Sequence, residues 1–313
     1  MTINYNQFVH PSDVKARLFL EKLPGFKALA EKYMNEVGDR SFMISNMSSN
    51  IKLGSKQMPE IYNLLPPICE KLGIEVPELY IELDRQPNAY TFGYKNTAIV
   101  LTSGLIENFN KDEIQIVLAH ECGHILCQHT LYLSLSKLLY GLGSNYLDNI
   151  VVKVLRMPLL IALRYWERCA EFSADRVSAY FAGSSKPVVK VMMRLAGGTN
   201  DLGYDFDEEE YLKQAEQYKK LVDNAYKNKT FDKLLTSLRS HPLLAYRAQE
   251  ISEWWNSFKP EEIYEIANKV IDEENDEKKL SIKDIYDNIV KEAKNFKKKF
   301  QEFIKQFMPS ELA

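Results

Sequence analysis

The segment 119–124, with the sequence AHECGH, holds two histidines and a glutamate at a spacing that suits metal chemistry. On an α-helix, residues four apart share a face about one turn apart, so the imidazoles of His120 and His124 can bind one metal ion. Glu121 lies beside that face and can take a proton from a water on the metal. This is the H-E-x-x-H arrangement of zinc peptidases. A helix with two hydrogen-bonded histidines is the alternative, and a third ligand must decide between the two interpretations.

The third ligand distinguishes the classes of zinc site. Thr130 stands where the metzincin pattern has a third histidine, so that pattern is absent. On a continuing helix, His129 would point about 140° away from His124, which predicts a helix-end or surface histidine. Glu171 and Asp175 are four residues apart and share a helical face. Glu171 can therefore bind the metal while Asp175 accepts a hydrogen bond from a ligand histidine and orients it.

Four blocks of sequence occur in the order that a known peptidase family shows. They are N-A-Y-T-F-G at 88–93, H-E-x-G-H at 120–124, R-x-x-E-x-x-A-D at 168–175 and H-P-x-x-x-x-R at 241–247. With these blocks, about residues 60–250 resemble the gluzincin family that includes the CAAX prenyl protease and the HtpX-like membrane peptidases. The resemblance implies an α+β, mostly helical fold, in which a zincin-like metallopeptidase domain contains a small antiparallel sheet.

The resemblance also implies a metal centre. His120, His124 and Glu171 correspond to the ligands of one Zn²⁺ ion per chain. Glu121 corresponds to the general base, and Asp175 to a residue that supports a ligand histidine. The chain is then expected to be a zinc-dependent endopeptidase that hydrolyses extended or unfolded polypeptides, with Glu121 assisting the attack of a metal-bound water.

A substrate site follows from the same resemblance. An edge strand that pairs with an extended peptide by strand addition is expected at Asn88, Ala89, Tyr90, Thr91 and Phe92. His241 and Arg247 correspond to catalytic residues near the cleft, where one of them could stabilise the oxyanion or gate the metal. The dipeptide H-P is also an ordinary helix start, so this last assignment has a second interpretation.

The elements that position these residues can be predicted from local patterns. Asn110, followed by acids, favours a helix start, and the helix is expected to continue to about His129. Three short segments rich in β-branched and aromatic residues, 78–83, 89–94 and 97–101, predict the strands of the sheet. An apolar helical hairpin at residues 130–163 precedes the helix that carries Glu171.

The composition limits the class of protein. The chain has 313 residues, 45% of them hydrophobic, and a formal net charge of -3, so it can bury a large core and has no excess of basic residues for nucleic acid. Its four cysteines lack C-x-x-C spacing and are expected to be reduced core thiols. The first residues lack the pattern of a secretory signal peptide, which predicts a cytoplasmic protein.

The chain divides into three predicted regions: an N-terminal helical segment (1–57), the metallopeptidase domain (58–258) and a charged amphipathic helical extension at the C-terminus (259–313). Charged residues interrupt every apolar window of the hairpin, which argues against membrane spans. Peripheral membrane contact through residues 131–163 or 281–308 is a second prediction. The alternative function is a catalytically latent or non-turnover zinc protein with a chaperone-like or membrane-surface role.

Overall fold

The computed structural model describes residues 3–22, 26–141, 150–197, 206–227 and 244–258. Helices surround a small four-stranded sheet, which confirms the predicted α+β, mostly helical class. The strands are β1 (Ile51–Lys52), β2 (Glu78–Glu82), β3 (Ala89–Phe92) and β4 (Ala98–Thr102). The helices are α1 (Pro11–Glu21), α2 (Phe26–Tyr33), α3 (Asp39–Ser49), α4 (Pro59–Tyr62), α5 (Leu65–Leu72), α6 (Ser103–Asn108), α7 (Lys111–Leu126), α8 (Thr130–Gly141), α9 (Ile150–Ala182), α10 (Lys186–Gly197), α11 (Glu208–Lys227) and α12 (Leu244–Ser257).

The sheet is mixed, and the expectation of an antiparallel sheet was wrong in this respect. The strand order is β1-β2-β4-β3, and β2 pairs with β4 in parallel while the other two pairings are antiparallel. After β2 the chain does not form the neighbouring strand but skips one position in the sheet and forms β3. The β3–β4 hairpin then returns, so β4 lies between β2 and β3. β3 is therefore left at one edge of the sheet.

Helix α7 begins as the sequence predicts. Asn110 is its N-cap, and the side chains of Asn110 and Glu113 form a capping box with each other's backbone N–H groups. The helix ends at Leu126, earlier than expected, because Gln128 has a φ of 60° and turns the chain back. α8 follows at once, and α9 is one continuous helix of 33 residues. The second half of the predicted apolar hairpin and the helix carrying Glu171 are thus a single element.

Close packing of α7 against α9 brings the candidate site residues of the two helices together. A Cβ atom added at Gly123 would lie 3.0 Å from the Cα and carbonyl oxygen of Ala174 and 3.0 Å from Cβ of Val177. Glycine therefore permits an approach that a larger residue would resist. Ile114, Leu118 and other apolar residues of α7 lie in the main hydrophobic core.

The N-terminal helices pack on α9 in a second hydrophobic cluster. Leu20 of α1 and Met34 after α2 lie buried in this cluster with Trp166 of α9. The four cysteines are free and buried, which confirms their interpretation as core thiols. Across the described ranges, no helix has both the length and the apolar character needed to cross a bilayer.

Candidate metal centre

The three expected metal ligands lie together between α7 and α9. One potential ligand atom from each of His120, His124 and Glu171 lies within 4.8 Å of the others. The Nε2 atoms of both histidines are 3.5 Å from a carboxylate oxygen of Glu171, His120 from Oε2 and His124 from Oε1. Two imidazoles one helical turn apart thus face one carboxylate from the neighbouring helix. Two imidazoles and a carboxylate are a donor set that catalytic zinc sites use.

Asp175 and Arg247 form hydrogen bonds and ion pairs with side chains of this group. Oδ1 of Asp175 is 3.0 Å from Nδ1 of His120, the ring nitrogen on the far side from Glu171. Arg247, on α12, donates from Nε and Nη2 to the two oxygens of Asp175 at 2.8 and 2.6 Å. Its Nη1 is 2.7 Å from Oε2 of Glu171. One guanidinium therefore holds both carboxylates of α9 in place.

Burial and charge act in opposite directions on these groups. Burial lowers the pKa of His120, but Asp175 and Glu171 outweigh it and raise this pKa to about 10. Burial raises the pKa of Glu171, but Arg247 and the two histidines hold it well below its usual value. Burial lowers the pKa of Arg247, and the two carboxylates raise it further than burial lowers it. Glu171, Asp175 and Arg247 are therefore ionised at neutral pH.

The charges of the cluster fit a divalent cation. Glu121, Glu171 and Asp175 are buried carboxylates, and Arg247 is the guanidinium paired with two of them. In the metal-free protein the raised pKa of His120 keeps a proton on this ring, and a bound cation would take the place of that proton in this site of low solvent exposure. Buried charges are costly unless they are paired or bind a metal. The residues present are thus suited to hold Zn²⁺.

Glu121 is placed between the ligands and the edge strand β3. The hydroxyl of Thr91 donates to its Oε2 at 2.6 Å, and the side chain is 5% exposed. Thr91 and Phe92 are buried, whereas Asn88, Ala89 and Tyr90 are partly exposed. Of the expected substrate strand, the structure thus brings Thr91 into direct contact with the expected base. His241, the other residue expected near the cleft, lies outside the described residues.

His129 lies directly before α8, so the predicted helix-end position is confirmed, but the ring is buried and contacts His124, so the predicted direction away from His124 was wrong. Its Nδ1 is 3.0 Å from Nδ1 of His124, and its side chain is fully buried. The angle of 140° assumed a continuing helix, but α7 ends at Leu126 and the left-handed Gln128 reverses the chain. A hydrogen bond from the backbone N–H of His129 to the carbonyl of His124, at 2.9 Å, closes this turn.

Two further residues of this region had no signal in the sequence. Asp13 of α1 contacts Nε2 of His129 at 2.9 Å, although 116 positions separate them. Lys137 of α8 places Nζ 3.3 Å from the ring centre of Tyr90, and this atom has no hydrogen-bond partner among the residues described. Burial lowers the pKa of Lys137 to about 7, against the attraction of Glu121 and other acids. Neither residue belongs to a recognisable motif, so only the fold reveals them.

The chain is similar to known metallopeptidases. Residues 55–255 match the sequence model of peptidase family M48. The chain is 31% identical over 269 residues to plastoglobule-localized metallopeptidase 48, chloroplastic, of Arabidopsis thaliana, with 85% of this chain and 77% of that protein covered. It is 26% identical over 227 residues to a protease HtpX homolog of Helicobacter acinonychis (strain Sheeba), with 64% and 69% covered. No solved structure matches it.

Proposed function

The chain belongs to peptidase family M48 and is a zinc metalloprotease, and from this premise we propose that it is an endopeptidase for extended or unfolded polypeptides. The observation that carries the proposal is the hydrogen bond between the expected base and the edge strand. Glu121 follows the ligand His120 on α7, and it accepts a hydrogen bond from Thr91 on the edge strand. A peptide paired with β3 would therefore run past the carboxylate that takes the proton.

His120, His124 and Glu171 would hold Zn²⁺, and the ion would supply Lewis acidity that lowers the pKa of a water molecule toward ~7. Oε2 of Glu121 accepts a hydrogen bond from the hydroxyl of Thr91, and we assign proton transfer to this carboxylate. Glu121 would take a proton from the attacking water as the water oxygen bonds to the scissile carbonyl carbon, and it would deliver that proton to the leaving amine as the C–N bond breaks. Asp175 orients His120 from its Nδ1 side. Arg247 is engaged with Glu171 and Asp175 through three nitrogens, which favours a positioning role over oxyanion binding.

The substitution Glu121→Gln tests the proposal. It removes the proton acceptor but keeps the shape of the side chain and the three proposed ligands. We expect zinc content equal to that of the wild type, measured by elemental analysis, and a loss of at least ~100-fold in the rate of casein cleavage. The wild-type rate should also fall to background with a zinc chelator and return when zinc is added.

The alternative, a zinc protein without turnover, predicts no chelator-sensitive cleavage by the wild type. A Glu121→Gln variant that cleaves casein at the wild-type rate would contradict the assigned base. Thr91→Val serves as a matched control, because it removes the hydrogen bond to Glu121 at 2.6 Å but leaves the carboxylate. We expect an intermediate rate from this variant.

Contact with a membrane surface is a separate proposal, as is a cytoplasmic location. The predicted contacts are the apolar segment 131–163 and the basic stripe of 281–308. Residues 142–149 of the first and all of the second lie outside the described residues. Liposome co-sedimentation of the chain with and without residues 281–313 tests them. If neither form of the chain sediments with the liposomes, the proposal of membrane contact is wrong.

A further inference from the structure

The N-terminal helix contributes a buried carboxylate to a series of hydrogen bonds that ends on a proposed metal ligand. Oδ2 of Asp13 is 2.9 Å from Nε2 of His129, and Nδ1 of His129 is 3.0 Å from Nδ1 of His124. The exposed fractions are 1% for Asp13, 0% for His129 and 4% for His124. Asp13 precedes residues 55–255, the part of the chain that matches the family. The range matched by the family model therefore does not include this contact.

One arrangement of protons satisfies all of these atoms. Nε2 of His124 faces Glu171, so it is the nitrogen available to the metal, and the proton of the neutral ring lies on Nδ1. That proton is donated to Nδ1 of His129, which must be an acceptor. The second nitrogen of His129 then carries its proton and donates to Asp13. His129 thus sets the tautomer of His124, and Asp13 sets the tautomer of His129.

The charge of Asp13 agrees with this arrangement. Burial raises the pKa of Asp13, but His129 and the hydrogen bonds of Ser173 and Trp166 lower it overall. Asp13 is therefore a carboxylate anion that accepts the hydrogen bond from His129.

Asp13 is held by the helix that carries the third proposed ligand. Trp166 donates from Nε1 to Oδ1 of Asp13 at 3.0 Å, and Ser173 donates to Oδ2 at 2.6 Å. Both donors lie on α9, and the hydroxyl oxygen of Ser173 also accepts the backbone N–H of His10 at 2.9 Å. The carboxylate of Asp13 thus lies between α1 and α9, and the hydrogen bonds to both of its oxygens restrict rotation of the side chain.

We propose that Asp13 and His129 are positioning residues of the zinc site, which hold His124 in the tautomer that presents Nε2 to the metal and increase its basicity. Hydrogen-bond partners of ligand histidines have this effect, and their loss typically weakens metal affinity by ~10–100-fold. The N-terminal helix is then a part of the active site. The proposal rests on the proposed ligation of zinc by His120, His124 and Glu171.

Zinc affinity of the full chain tests this proposal directly. Asp13→Asn removes the charge with little change of shape, and His129→Leu removes both ring nitrogens. Asp39→Asn is the matched control, because Asp39 is also a buried acid of the N-terminal region but accepts backbone N–H groups of residues 94–96 at 2.8–3.2 Å. We expect the zinc Kd, measured by competition with a chromogenic chelator, to rise ~10-fold or more for the first two variants and less than ~2-fold for the control.

Wild-type Kd values in both folded test variants would overturn the proposal. A wild type that binds no zinc would overturn the proposed function as well, so the two failures are distinguishable. If the variants do not fold, the wild type decides: ¹⁵N-histidine NMR of the zinc-loaded protein reports which nitrogen of each ring is protonated. We expect protonated Nδ1 on His124 and protonated Nε2 on His129. A proton on Nδ1 of His129 would contradict the proposal.

Discussion

At the scale of single residues, the site contains buried charged side chains that stabilise one another. Each of these charges would be costly to bury without its partner. Glu171 and Asp175 are 8% and 2% exposed, and Arg247, at 6%, forms ion pairs with both. Removal of one partner from such a group leaves an uncompensated buried charge. The sequence blocks could assign these residues to one region, but only the structure shows that the arginine joins the two carboxylates.

Replacement of Arg247 separates charge from geometry. Arg247→Met should destabilise the metal-free protein by about 3–5 kcal/mol, because Glu171 and Asp175 lose their cation. Arg247→Lys keeps the charge but not the forked geometry, so a smaller loss is expected. Urea unfolding of the metal-free proteins measures both free energies. Equal losses in the two variants would show that charge plays no part.

Lys137 gives a pH-dependent prediction. Burial lowers its pKa from 10.5 in the unfolded chain to about 7 in the folded protein. Between these values the unfolded state binds more protons, so stability rises with pH in this window, and the cost of the buried cation is complete below about pH 7. Lys137→Met should therefore stabilise the protein by about 1–3 kcal/mol at pH 6, and this gain should shrink toward pH 10.

Unfolding in urea at pH 6, 8 and 10 measures this change. Lys190→Met is a suitable control, because it makes the same substitution at a lysine whose side chain is 68% exposed. A gain for Lys137→Met that is independent of pH would contradict the assigned cause.

At the scale of elements, the distance between α7 and α9 decides whether the ligands meet. Gly123 lies between His120 and His124, on the side of α7 that touches Ala174 of α9. A methyl group there would meet backbone atoms at 3.0 Å, and backbone can yield only by moving the helices. The same glycine therefore contributes to stability and to the geometry of the metal centre.

Gly123→Ala should cost about 1–3 kcal/mol of stability and weaken zinc binding, because Glu171 moves away from the histidines. Thermal unfolding and chelator competition measure the two effects. Gly54→Ala is the control, since nothing lies within 4 Å of the added Cβ. A Gly123→Ala protein with unchanged zinc affinity would show that the ligands tolerate the movement.

At the scale of the whole molecule, the metal centre connects parts that are distant in the sequence. α1, β3, α7, α9 and α12 each contribute a residue that contacts another member of the site. A ligand that binds only the folded state stabilises that state by mass action. Zinc at ~100 times its Kd should thus stabilise the protein by about 2.7 kcal/mol.

This corresponds to a rise of about 4 °C in Tm for a chain of this size. Differential scanning calorimetry with and without zinc measures the shift. His124→Ala, which removes one proposed ligand, should lose most of it. An equal shift in this variant would mean that the stabilising zinc binds elsewhere.

The sequence by itself determined the features that depend on local spacing. His120 and His124 share a face because of the helical period, Asn110 caps α7 through its own side chain, and the strands follow the β-branched and aromatic segments. These features need no information from distant residues. The division into regions 1–57, 58–258 and 259–313 stays a prediction.

Only the tertiary structure decided the contacts between distant segments. The parallel pairing of β2 with β4, the return of His129 to His124 and the contact of Asp13 with His129 are of this kind. A hydrogen bond between residues 116 positions apart has no period or motif, because the packing of whole helices brings its partners together. The pattern H-E-x-x-H thus predicts two of the three proposed ligands, and the fold shows which residues contact them.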